Sequence, residues 1–123
     1  MGITWKLEGS LYKTTDTDRK RSLYDLAETI RTEEEATYVI PVDTGVTDHD
    51  ICIPFDDAQM IAIFTDQEVG VKVTDPGYYI SFSVCFIIMG SDIDLLQVEN
   101  NSGNRATLKI FVGGEPITGD PCA

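Results

Sequence analysis

Hydrophobic and polar residues alternate along most of this chain with the two-residue period of half-buried β-strands. The densest patterning runs from Ala58 to Val112. Within it, Met60-Ile61-Ala62-Ile63-Phe64 is apolar on both alternating faces, which predicts a central strand covered on both sides. Asp56-Asp57 and Thr65-Asp66 break the run at either end, leaving it too short for a buried helix. Val69, Val71 and Val73 then alternate with Gly70, Lys72 and Thr74, and Thr65–Glu68 is the expected hairpin loop between the two strands. Asp75-Pro76-Gly77 is a turn signal, because Pro presets φ and Gly tolerates a positive one.

From Tyr78 to Met89 the pattern predicts one long strand ended by Gly90-Ser91. Ile80, Phe82, Val84, Phe86 and Ile88 fall on one face, and Tyr79, Ser81, Ser83 and Cys85 on the other. Leu96 and Val98 alternate with Gln97 and Glu99; Asn100–Asn104 follows as a loop rich in residues that tolerate left-handed backbone; Ala106, Leu108, Ile110 and Val112 resume the alternation. Folding about that loop with Leu96 opposite Leu108 puts both apolar sets on one face, and a one-residue slip would turn one set to water.

The N-terminal third is less regular. Ile3, Trp5, Leu7 and Leu11 predict a first strand with a break, read as a bulge, at Gly9. Thr14–Arg21 is a polar loop. Ser22-Leu23-Tyr24-Asp25 followed by Leu26, Ala27 and Ile30 at helical spacing predicts one short helix, with a further strand or a structured loop as the competing reading. Glu33-Glu34-Glu35 closes it as a solvated run. Tyr38, Ile40 and Val42, interrupted by Pro41, predict an edge strand. Thr44–Asp50 is a loop, and Ile51, Ile53 and Phe55 form a short strand that Pro54 assigns to an edge. About eight strands at this spacing predict an all-β fold: an antiparallel β-sandwich, jelly-roll or Ig-like, with at most one short helix. A single domain covers residues 1–112, and residues 113–123 form a Gly/Pro-containing C-terminal tail.

Charge narrows the function classes. The 123 residues carry 21 acidic and 9 basic side chains, a formal charge of −12. Such a field repels nucleic acid and anionic membrane, so neither is expected as a partner. The start, Met1-Gly2-Ile3-Thr4-Trp5, lacks the basic and apolar regions of a secretory signal, which points to synthesis in a cytoplasm. Cys52, Cys85 and Cys122 share no metal-like spacing and are expected as free thiols, with Cys85 the least accessible and Cys122 the most.

Catalytic equipment is not legible. The single histidine, His49, reads as a residue of a polar turn. Asp92-Ile93-Asp94 and Asp16-Thr17-Asp18 lack the ladder of an EF-hand loop and read as surface charge. No cofactor, metal or enzymatic activity is expected. Trp5, Tyr12, Tyr78 and Tyr79 are the candidate interface residues, because aromatics dominate the centres of protein interfaces.

Two segments carry a resemblance. Phe55-Asp56-Asp57-Ala58-Gln59-Met60-Ile61-Ala62-Ile63-Phe64-Thr65-Asp66-Gln67-Glu68-Val69, and downstream Leu95 to Val112 with its Asn100-Asn101-Ser102-Gly103-Asn104 turn, together about half the chain, resemble small β-sandwich virion proteins of tailed bacteriophages. The N-terminal third lies outside the resemblance. It implies a structural virion component, most directly a capsid decoration or cement protein that stabilises the particle. The alternative is a tail, fibre or baseplate-associated binding module for a host receptor or glycan. Expected partners are other virion proteins (the major capsid protein or tail proteins) and copies of itself in a symmetric homo-oligomer such as a trimer. The expected location is the virion.

Overall fold

A computed structural model describes residues 2–14, 20–53, 55–73, 77–93 and 95–116; side chains are described for these except 11–14, 20–25, 56, 57, 90–92 and 116. Ten strands form: β1 (Ile3–Thr14), β2 (Lys20–Thr32), β3 (Glu34–Val42), β4 (His49–Asp50), β5 (Phe55–Thr65), β6 (Val69–Lys72), β7 (Ile80–Phe82), β8 (Cys85–Ile93), β9 (Gln97–Glu99) and β10 (Ala106–Pro116). They make a sandwich of two antiparallel four-stranded sheets, ordered β3-β10-β5-β8 and β4-β9-β6-β7, plus a separate β1-β2 ribbon. The all-β expectation holds, and the described residues contain no helix.

The core lies between the two sheets. Ile61, Ile63, Leu108, Ile110 and Val112 supply it from the larger sheet, and Val69, Val71, Leu96 and Val98 from the smaller. The expected edge strand is there: β3, with Pro41, borders only β10. Ile51, Ile53 and Phe55 are buried with Cys52 exposed between them, as the alternation implies; Ile51 N donates to the Leu96 carbonyl at 2.9 Å, and of the three buried residues Phe55 enters a strand.

Several expectations are corrected. Ser22–Ile30 is part of β2, not a helix, and pairs with β1 along a ladder from Ile3–Thr32 to Thr14–Lys20. A two-turn helix is marginal on its own, whereas this ladder bonds the backbone along its whole length. The register irregularity of the ribbon lies between Leu11 and Tyr12, while Gly9 pairs regularly with Leu26. The polar loop is shorter than Thr14–Arg21, since β2 already begins at Lys20; residues 15–19 lie outside the described ones. His49 and Asp50 form a short strand paired with Val98 and Gln97. The Tyr78–Met89 stretch is two strands in different sheets, β7 and β8, broken at Ser83-Val84, and β8 runs on to Ile93.

The two expected hairpins are arches between sheets. Thr65–Glu68 joins β5 of the larger sheet to β6 of the smaller, and Asn100–Asn104 joins β9 of the smaller to β10 of the larger. Leu96 and Leu108 are both buried, yet they enter one core from facing sheets and are not ladder partners. Strand alternation specifies which face is buried; it does not specify which strand lies alongside. Side-chain chemistry closes both arches. The Thr65 hydroxyl donates to the Gln67 carbonyl and accepts from the Gln67 amide, while Thr107 N donates to the Asp66 carboxylate at 2.8 Å. Asn100, fully buried, donates through Nδ2 to the carbonyls of Val42 (2.9 Å) and Asn104 (2.8 Å), and its Oδ1 accepts from the amide and hydroxyl of Ser102. It thereby ties the arch to the end of β3.

The last strand also moves the expected tail boundary. Gly113 and Gly114 are buried rungs of β10, paired with Glu35 and Glu34 on one side and with Met60 and Ala58 on the other. Residues 117–123 lie outside the described residues.

Two expectations about thiols fail. Cys52 is disulfide-bonded, and Cys85, at the start of β8, is free and exposed. The third cysteine, Cys122, is outside the described residues.

Candidate functional site

The outer face of the larger sheet is apolar where a solvated face would be polar. Its rungs read across the four strands as Glu35–Gly113–Met60–Met89, Thr37–Phe111–Ala62–Ile87 and Val39–Lys109–Phe64–Cys85. Directly opposed residues of antiparallel strands share a face, so Met60, Met89, Phe111, Ala62, Ile87 and Phe64 form one surface. Phe64 and Phe111 meet edge-to-face with centroids 6.1 Å apart. Phe64 is 43% and Val39 65% exposed, so the surface is open to solvent at that end.

The root of the β1-β2 ribbon stands over the other end. Gly113 has no Cβ, and one placed there would collide with the Trp5 indole and the Thr32 hydroxyl. The indole therefore lies directly against the β10 backbone. Trp5 Nε1 donates to Thr32 Oγ1 at 2.9 Å, and that hydroxyl donates to the Glu34 carbonyl at 3.1 Å. This chain of bonds fixes the ribbon where it enters β3. Between ribbon and sheet an apolar cleft of about 240 Å³ opens, with Trp5, Lys6 and Leu7 on one wall and the sheet surface on the other.

Charge divides along the same line. Residues 1–32 hold six of the nine basic side chains and five of the 21 acidic ones, a net charge of +1, which leaves −13 on residues 33–123. Lys13 and Arg21 pair near the distal end of the ribbon, next to the terminal Thr14–Lys20 rung.

A second cluster lies on the smaller sheet. The Tyr79 hydroxyl donates to Asp48 Oδ1 at 2.6 Å, Lys72 Nζ stands 3.9 Å from the same oxygen, and that ammonium is 5.1 Å from the Tyr79 ring centroid. Burial, followed by the bond to and the charge of Asp48, pushes the Tyr79 phenol up to about 12. Asp48 has a positive φ of 50°, tolerable for a short polar side chain. The cluster pins the β3–β4 connection to β6 and is built as a fastener, with its polar groups turned on one another.

Of the four aromatic candidates, Trp5 lines the cleft, and Tyr79 belongs to the Asp48 cluster. Tyr78 is 92% exposed beside it. The backbone of Tyr12 pairs with Ser22 in the ribbon, and its side chain lies outside the described residues. Trp5 and the Tyr78–Tyr79 pair sit on different sheets and do not form one surface. The cleft residues Met60, Phe64, Ile87, Met89 and Phe111 were not among the candidates. For Met60 and Phe64 the signal was present in the two-faced apolar run Met60–Phe64; Ile87, Met89 and Phe111 lie outside that run, on β8 and β10. Among the described residues, no group of His, Cys, Asp and Glu is placed to hold a metal, and no helix is long and apolar enough to cross a membrane.

No family model matches the chain, and no curated protein or solved structure matches it either.

Proposed function

We propose that the protein is a non-enzymatic structural component of a bacteriophage virion, a decoration or cement protein that stabilises the particle by packing against other subunits. The observation that carries this reading is the apolar cleft on the outer face of the larger sheet. An apolar surface on which Phe64 is exposed and Ile87, Met89 and Phe111 are half-buried is what a protein–protein contact needs and what a solitary domain avoids. Met side chains adapt to an irregular partner surface, and aromatic rings supply contact area at low entropic cost. The virion context rests on the resemblance of residues 55–69 and 95–112 to small phage virion proteins. Repetition supplies the strength: many copies, each in weak contact, hold neighbouring subunits through effective concentration.

The test is to prepare particles lacking the chain and compare their survival of heat, low salt and osmotic shock with that of complete particles. Loss of survival, restored by adding back the wild-type chain and not the Phe111→Glu variant, is the expected result. Particles that survive as well as complete ones but no longer adsorb to host cells would overturn decoration and establish the receptor-binding alternative, in which the exposed Tyr78 is the first residue to substitute.

A further inference from the structure

The order β3-β10-β5-β8 leaves two edges on the larger sheet, and their sequences differ in kind. β3 carries Glu34, Glu35 and Pro41, residues that discourage a further strand from pairing. β8 carries no such residue from Cys85 to Met89, where every position is apolar on both faces. The edges of the smaller sheet, β4 and β7, are only two and three residues long. The phase of the backbone shows what the β8 edge offers. The Thr65 amide donates to the Val84 carbonyl at 3.1 Å, which makes Thr65–Val84 a hydrogen-bonded pair. Bonded and non-bonded pairs alternate along an antiparallel ladder. Phe86 and Ile88 therefore bond to β5, while Cys85, Ile87 and Met89, opposite Phe64, Ala62 and Met60, turn their N–H and C=O groups away from it. Among the described residues those outward groups meet no backbone partner. The side chains of the same three residues lie on the apolar outer face, and those of Phe86 and Ile88 are half-buried at the margin of the core.

We propose that β8 is a dimerisation edge, pairing antiparallel with β8 of a second copy about a two-fold axis at Ile87. The strand is self-complementary in that register. Ile87 meets its own counterpart and Cys85 meets Met89 on the outer side, while Phe86 meets Ile88 on the inner side. Apolar groups thus face apolar groups on both surfaces, and each rung with outward-turned backbone exchanges a pair of hydrogen bonds. What selects a second copy as the occupant is continuity. The two larger sheets become one, and the Phe64–Cys85 rung of one copy runs on as the Met89–Met60 rung of the other, so the apolar outer faces join. A lone extended segment would satisfy the edge but bring no such face. Because the pairing is antiparallel, the Asp92 positions of the two strands fall at opposite ends of the ladder. The contact is isologous and uses up both edges, so assembly closes at a dimer. It goes beyond the particle-binding reading, which uses the face and not the edge. Each copy carries a net charge of −12, so encounter is opposed at long range and salt relieves the opposition.

Sedimentation velocity of the full-length chain, at micromolar to millimolar concentration and at low and high salt, tests this. A monomer–dimer equilibrium is expected, roughly tenfold tighter at high salt than at low. Ile87→Glu sets like charges against each other at the axis and is expected to weaken the dimer roughly tenfold or more, with circular dichroism unchanged. Met89→Cys keeps the edge and reads the register. In the dimer it stands opposite Cys85 of the other copy with Cα atoms ~5.5 Å apart, within disulfide reach. Within one copy the two positions are ~13 Å apart along the strand and cannot bridge. Mild oxidation is expected to convert this variant, and not wild type, to a covalent dimer whose cross-linked peptides join positions 85 and 89. A wild type that is monomeric at every concentration overturns the proposal, as do assemblies larger than dimers. A dimer that Ile87→Glu leaves intact, or a Met89→Cys dimer without that cross-link, overturns it too. Hydrogen exchange identifies the other occupant: Cys85, Ile87 and Met89 amides slowed only by adding particles that lack the chain would overturn self-pairing and give the edge to a particle subunit. A monomeric wild type that still protects particles would remove the dimer and leave the decoration reading standing. A β8 dimer that does not bind particles would do the reverse.

Discussion

Asn100→Ala is the most informative single substitution in the sandwich. The side chain is fully buried and makes four hydrogen bonds, joining the end of β9 in one sheet to Val42 at the end of β3 in the other. Its orientation is unambiguous: both Nδ2 partners are carbonyl oxygens, and both Oδ1 partners can donate. Truncation to alanine strands the Val42 carbonyl in the interior, at ~1–3 kcal/mol, and removes three bonds on the wetter side of the arch, where water recovers most of their value, at ~0.5 kcal/mol each. The expected loss is about 3 kcal/mol, a large share of the ~5–15 kcal/mol that holds a typical domain. Urea unfolding followed by circular dichroism should show the midpoint fall by about 2 M with an unchanged slope. Asn100→Asp keeps the acceptor for Ser102 but turns a carboxylate oxygen toward the buried Val42 carbonyl and the part-buried Asn104 carbonyl, and should cost more than alanine at neutral pH. Ser102→Ala, which touches only the wetter half, should cost about 1 kcal/mol. An alanine variant that loses less than about 1 kcal/mol, or an aspartate variant as stable as wild type, would show that the arch is not held through Asn100.

Three further outcomes are expected. Gly113→Ala should push the Trp5 indole off the β10 backbone; because Trp5 is the sole tryptophan, a red shift and greater quenching of its fluorescence should report this, with a loss of about 1–2 kcal/mol in stability. Alkylation of the native, unreduced protein should label Cys85 first and leave Cys52 unlabelled, and intact mass before and after reduction should reveal the disulfide; rapid labelling of Cys52 would contradict the structure. Tyr79, whose phenol is raised to about 12, contributes stability that is complete below its ordinary value near 10 and is lost as pH rises through 12; Tyr79→Phe should abolish that alkaline loss in a pH series of thermal midpoints.

The apolar alternation identified the buried side chains far better than the strand neighbours. Leu96, Val98, Leu108, Ile110 and Val112 all face the core as their spacing required, because burial is a local property of each strand. Pairing is not local. A four-residue connection such as Thr65–Glu68 can serve as a hairpin or as an arch, and the choice depends on the second sheet, which no short window contains. The β2 segment was misread for a related reason: Leu26 and Ile30 suit a helix, and also suit a strand once β1 is alongside. The cleft was half legible. Met60–Phe64 announced two covered faces, but what covers the second is a ribbon whose root is held by Gly113, a residue that looked like the start of a tail. Cys85 inside an apolar run suggested a core thiol, yet it opens an edge strand and its side chain meets water.

The sheet order β3-β10-β5-β8 has a consequence for how the chain is made. β3 and β5 are never neighbours; each waits for β10, which inserts between them and bonds both. On a ribosome adding ~5–20 residues per second, about 3–10 s separate completion of β5 at Thr65 from synthesis of Pro116. During that interval two strand edges and the inner apolar face of the sheet have no native partner, the condition in which nascent β-proteins associate with one another or recruit chaperones. Folding of the larger sheet is therefore a late, concerted event with a high proportion of distant contacts, and slow for the size of the chain. A ribosome stalled before Ala106 holds a larger sheet that cannot close, because β3 and β5 still lack the strand that joins them.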